Sequence, residues 1–156
     1  MQRAYAVILG ALGVAFCLRV SGQLLVASFQ VEFLPPMSEW YSGLLPYPLL
    51  LPIQLLILVA QAKVSLDIWR GAGFFANRRP RAGRALCWFS GIYFVAMAIR
   101  YGVVMTLFPE RRWFGGTIPI VFHWVLAAYL FVLGRYQRGA AHNSSMQQGT
   151  SASSRT

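Results

Sequence analysis

The chain has 156 residues, 57% of them hydrophobic and only 12% charged, with a formal net charge of +10. This composition excludes an ordinary soluble domain. In a soluble protein such an excess of cations would point to nucleic acid, but here the basic residues gather at the ends of apolar runs, so no nucleic-acid partner is expected.

Four apolar runs, at roughly 4–29, 43–64, 86–108 and 115–134, each have the length of about twenty residues needed to cross a bilayer. The first follows Arg3. A basic residue before an apolar run also describes a signal peptide, and the stretch before Cys17 has the outline of a lipoprotein site. Phe16 is a poor match to the small residue such a site requires, however, and the run resumes from Leu24 to Phe29, so a retained span is expected. It carries Gly10, Gly13 and Ala15, then Arg19 and Gln23, which share a helix face at four-residue spacing. The loop that follows holds Glu32, Pro35-Pro36, Glu39, Trp40 and Tyr41, with aromatic residues of the kind favoured at a membrane–water boundary.

The second run opens with Pro46 and Pro48, tolerated at a helix start. Pro52 lies further in, where a kink is expected, and Gln54 comes after it. From Ser65 to about residue 85 the chain places Asp67 alone against Arg70, Arg78, Arg79, Arg81 and Arg84, with Lys63 just before. This is a solvated topology determinant, drawn to anionic lipid by about 1 kcal/mol per basic residue. The third run carries Arg100-Tyr101. A short turn with Glu110, Arg111, Arg112 and Trp113 leads to the fourth, with His123 and Trp124, closed by Arg135 and Arg138. The positive-inside rule puts both termini and the 65–85 loop in the cytoplasm. Residues 140–156 are too polar to bury apolar area, and a disordered cytoplasmic tail is expected. The sequon Asn143-Ser144-Ser145 would go unused on that side. Arginine outnumbers lysine thirteen to one, which suggests a bacterial chain and hence an inner membrane.

The chain also repeats itself. Arg3-Ala4, Gly10, Val14-Ala15 and Leu18-Arg19 return as Arg84-Ala85, Gly91, Val95-Ala96 and Ile99-Arg100 at constant spacing. Trp40 to Pro46 is echoed by Trp113 to Pro119. The expected fold is an all-α membrane protein, a four-transmembrane-helix bundle made of two tandem helical hairpins. One domain would span 1–139, with repeats at about 3–64 and 84–138 in the same membrane orientation. Because glycines let helix backbones approach, helices one and three should cross near Gly10 and Gly91. Cys17 and Cys87 differ in depth by eleven helical residues, or about 16 Å, too far for a disulfide.

By depth, Arg19, Gln23, Gln54, Arg100 and His123 all fall between the outer surface and the midplane. Charge in hydrocarbon is costly and tends to mark function. Three readings stand: the arginines snorkel to the interface; Glu32, Glu39 or Glu110 folds back to pair with them; or they line an outer pocket. Such a pocket would take Arg19 and Arg100 for an anion, with Gln23, Gln54 and His123 as polar contacts and Tyr101, Trp40, Trp113 and Trp124 as aromatic walls. Neither a catalytic set, a metal nor a cofactor is expected. His142 lies in the tail, too far from His123 to share a haem. No P-loop, HExxH or GxSxG motif occurs.

In size, span count and scattered Trp, Pro and Arg, the chain resembles several small four-span membrane families, among them DoxX-like proteins and the EXPERA group. That resemblance implies the four-span fold and no particular activity or site residue. The expected function is to hold an anionic or amphipathic ligand, lipid-like or quinone-like, or a partner subunit. Membrane lipids, a larger membrane complex and a homo-oligomer are the expected partners. A small transporter of an anionic solute and a component of a quinone-linked oxidoreductase are the competing readings.

Overall fold

The computed structural model describes residues 2–29, 46–107 and 117–139, with the side chains of Tyr47 and residues 117–119 excepted. Trp40, Trp113, the three glutamates and the 140–156 tail therefore lie outside the described residues. The described chain forms four helices: α1 (Gln2–Phe29), α2 (Tyr47–Arg70), α3 (Pro80–Leu107) and α4 (Thr117–Arg138). All four are long and apolar enough to cross a membrane. No strand occurs among the described residues.

Local sequence accounts for the helix ends. Pro46, with ψ 138°, stands before α2, and its carbonyl accepts from the N–H groups of Leu49 and Leu50 at 3.0 and 3.1 Å. Pro48 falls in the first turn, where a missing N–H costs nothing. The helix continues without a break through Pro52. It stops at Gly71, which takes the left-handed conformation with φ 67°, open to glycine without a Cβ penalty. Pro80 starts α3 in the same manner as Pro48 starts α2. Three helices run past the apolar stretches, α2 to Arg70, α3 from Pro80 and α4 to Arg138. Hydrocarbon sets the length of the apolar run, not of the helix, so charged turns extend into the interface.

The connection between α2 and α3 is consequently only nine residues, 71–79, and it is tied down rather than merely solvated. Asp67 accepts from Lys63 Nζ at 3.1 Å and from the Phe75 N–H at 3.4 Å. The carboxylate of Asp67 fills the space above Gly73 (φ 104°), where a Cβ would come within 2.6 Å of it. From α4, Gln137 donates to the Phe75 carbonyl at 3.0 Å and accepts from the Arg79 N–H at 2.8 Å. Tyr136 donates to the Ala76 carbonyl at 3.0 Å, and the Arg78 guanidinium lies 5.0 Å from its ring centre.

Helix α1 packs on α2, α3 on α4, and α4 on α1; among the described residues no other pair makes an extensive contact. Among the described residues the buried cluster comprises Ala6 and Leu9 of α1, Val64 and Ile68 of α2, and Tyr129, Leu133 and Tyr136 of α4. It sits in the half of the bundle that carries the termini. The expected crossing of α1 and α3 does not occur: a Cβ added at Gly10 or Gly91 would meet nothing within 4 Å. The close approach is made instead by Gly83 and Gly134, between α3 and α4. A Cβ on Gly83 would lie 2.8 Å from the Gly134 carbonyl oxygen, and one on Gly134 would lie 2.7 Å from Cys87 Sγ. Ser90 reinforces this seam by donating to the Ala127 carbonyl at 2.8 Å. Cys17 and Cys87 are free thiols. Large apolar side chains such as Leu18, Leu56 and Trp88 face outward, 69–75% exposed, as lipid-facing positions do in a membrane helix.

Candidate functional site

Measured along the helices from the end away from the termini, the polar residues fall at one level. Gln23 lies six residues before the end of α1, Arg19 ten, Arg100 seven before the end of α3; Gln54 lies seven and His123 six after the starts of α2 and α4. At the helical rise this is a band of about 9–15 Å below that end.

Contacts at this level form a tier that touches every helix, with Arg100 placed there by its depth alone. Gln54 Nε2 of α2 donates to Gln23 Oε1 of α1 at 3.0 Å, in a fully enclosed pair. One turn before Gln23, Arg19 turns inward rather than towards lipid, only 9% exposed. Its guanidinium lies 5.6 Å from the ring centre of Phe122 on α4. Next in sequence, His123 bonds through Nδ1 to the Tyr93 hydroxyl of α3 at 2.6 Å, with the two rings edge to face. Arg19 of α1 and Arg100 of α3 lie at the same level as His123 of α4. Trp124 lies between Phe94 and Tyr101, 5.6 and 5.8 Å from their ring centres. Of the residues expected at the site, Arg19, Gln23, Gln54, Arg100, Tyr101 and His123 thus share the tier. Trp40 and Trp113 lie outside the described residues.

Several buried polar atoms have no partner among the described residues: Gln23 Nε2, Gln54 Oε1 and Trp124 Nε1 at the tier. Whichever way the amide pair is turned, its single bond leaves one acceptor and further N–H donors over. An orphaned buried group costs about 1–3 kcal/mol, so a tier that collects three of them at the level of two arginines has capacity for a polar guest.

Two polar residues, one in the tier and one outside it, escape a reading of the sequence. Tyr93 is one aromatic among many in an apolar run, and only the rotation of α3 shows that it meets His123. Gln61 is the other. It is 4% exposed, and neither its Nε2 nor its Oε1 has a partner among the described residues. Its side chain lies over Gly13, the Oε1 being 3.7 Å from where a Cβ would stand. It lines a groove of about 460 Å³ between α1 and α2, with Gly10 at its floor. A glutamine seven residues beyond Gln54 was a legible signal for it.

Among the described residues no three of His, Cys, Asp and Glu gather in a set able to hold a metal ion. Compared with known protein families, with curated proteins and with solved structures, the chain matches none.

Proposed function

We propose that this is a polytopic membrane protein that holds the anionic head of an amphipathic ligand at the tier of Arg19, Gln23, Gln54, Arg100 and His123. The carrying observation is the inward-turned, buried Arg19, which shares its level with Arg100 and His123 and with buried amide and indole groups that have hydrogen-bonding capacity to spare. Guanidinium groups match carboxylate and phosphate geometry, while Phe122, Phe94, Trp124 and Tyr101 offer an apolar body a wall. In this reading the two hairpins are tandem copies and the tier belongs to the outer half. The basic residues from Lys63 to Arg84, with Arg135 and Arg138, hold the other end in the cytoplasm, in keeping with the positive-inside rule. Solute transport is less well supported, because the cluster around Leu9, Ile68 and Tyr136 fills the opposite half with side chains.

One observation favours a quinone as the guest. The Tyr93–His123 pair places a phenol and an imidazole in direct hydrogen bond, a pairing suited to a carbonyl ligand that takes up protons. Native mass spectrometry of the purified protein tests both forms. The wild type should retain a bound amphiphile, and Arg19→Gln/Arg100→Gln should lose it while keeping the helical content. A quinone-like mass that Tyr93→Phe/His123→Leu releases supports the second form. A wild type with no bound mass, or one whose bound mass both double variants keep, overturns the proposal.

A further inference from the structure

Helix α3 is the least enclosed element of the bundle, with only 6% of its apolar window buried. Its outward face is no plain cylinder, for Arg84, Trp88, Gly91, Val95 and Ile99 follow one another at three- and four-residue spacing along a groove of about 770 Å³. Gly91, without a side chain, opens the middle of this groove; nothing lies within 4 Å of where its Cβ would be. The groove runs fifteen residues from Arg84 to Ile99, or about 22 Å, enough for an acyl chain crossing one leaflet of about 15 Å.

At the end nearer the chain termini the groove meets two positive charges from different helices. Arg84 is on α3 itself, and Arg138 arrives from α4. Gly83 permits this: its missing Cβ leaves room for the Arg138 stem, whose Cγ lies 2.9 Å from the vacant position. The arginine is thereby laid across α3 one residue from Arg84. Among the described residues the one ion pair is Lys63 with Asp67, so neither groove arginine is neutralised by a carboxylate there. A long apolar slot ending in a pair of guanidiniums has the charge and the shape of an anionic phospholipid, phosphodiester at one end and hydrocarbon along the other.

The geometry points to a second lipid site on this protein: an anionic phospholipid lies along α3, its phosphate held by Arg84 and Arg138 and one acyl chain passing over Gly91 between Trp88 and Val95. This site is separate from the tier of Arg19 and His123, and neither depends on the other.

The full chain in mixed micelles, titrated with phosphatidylglycerol or phosphatidylcholine and read by native mass spectrometry, tests it. Phosphatidylglycerol should bind more tightly than phosphatidylcholine. With each basic residue contributing on the order of 1 kcal/mol to the attraction, Arg84→Gln/Arg138→Gln should weaken that binding by roughly thirtyfold and erase the preference. Gly91→Leu, placed in open space, should fill the slot and lower occupancy of both lipids without loss of thermal stability. Phosphatidylglycerol held at the tier would be lost in Arg19→Gln/Arg100→Gln, and the binding that remains in that variant should still fall on adding Arg84→Gln/Arg138→Gln, which separates this site from the tier. Equal affinity for the two lipids in the wild type overturns the site, as does an unaltered preference in the Arg84/Arg138 variant. A dimer cross-linked through Trp88→Cys at every lipid level would also overturn it, since a second copy would then cover the groove.

Discussion

The glycine contacts offer the sharpest test of how the helices meet. Replacing Gly134 by alanine puts a methyl group 2.7 Å from Cys87 Sγ and 3.0 Å from both the Cys87 nitrogen and the Gly83 oxygen. That is roughly 1 Å short of the optimal separation of non-bonded heavy atoms. Two of the three neighbours are backbone, so relief requires α3 and α4 to move apart. A gap of that size forfeits a quarter to a half of each contact along the seam, and overpacking of this kind costs about 1–3 kcal/mol. Alanine's helix propensity returns about 1 kcal/mol, leaving a net loss of up to about 2 kcal/mol. Gly83→Ala should cost at least as much, since its Cβ would meet backbone atoms of Arg138 and Gly134 at 2.8 Å. Gly10→Ala and Gly91→Ala meet nothing, and should be neutral or gain up to about 1 kcal/mol. Reversible unfolding in mixed detergent, followed by circular dichroism, reads all four. If Gly10→Ala or Gly91→Ala destabilises as much as Gly134→Ala, the packing of α3 on α4 described above is wrong.

Gln137→Leu removes both side-chain bonds to the 71–79 connection, worth about 1 kcal/mol each; trypsin should then cut after Arg78 faster, and unchanged digestion counts against a tethered loop. Gln23→Leu or Gln54→Leu alone strands a buried amide and should cost about 1–3 kcal/mol, whereas the double variant should approach wild-type stability; additive losses in a double-mutant cycle would show the pair is not coupled. In a background lacking Cys17 and Cys87, Glu39→Cys should react with an impermeant thiol reagent in intact cells and Arg79→Cys only after permeabilisation. The opposite pattern reverses the orientation.

The spans were legible because a bilayer imposes a length, and a length can be read from one chain. Depth was legible for the same reason: a fixed rise per residue places Arg19, Gln23, Gln54, Arg100 and His123 at one level before any neighbour is known. Rotation was not. In water an amphipathic stripe marks the buried face of a helix. Here Leu18, Leu56 and Ile99 are exposed while Leu9, Val64 and Ile68 are buried, all equally apolar, because lipid and protein interior offer the same environment. Nothing in those residue types says which side is which.

The glycines show where that ambiguity bites. A small residue announces that a backbone can come close, and leaves open whose backbone it is. Gly10 and Gly91 stand at matched positions of the sequence, which made them the natural pair, yet each floors an open groove. Gly83 and Gly134 carry the crossing, and Gly83 lies where the run of charge between Arg78 and Arg84 masks the first turn of α3. Polar side chains resolved what apolar ones could not. Ser90 on Ala127, Tyr129 on the Gln61 carbonyl and Tyr93 on His123 each require one rotation of their helix. A buried hydrogen bond in an apolar medium is expensive to leave unmade, so these few groups select among orientations that hydrophobicity leaves nearly equal in energy. The same logic gives the tier its significance. There Gln23, Gln54 and Trp124 keep hydrogen-bonding capacity in reserve at the level of Arg19, Arg100 and His123.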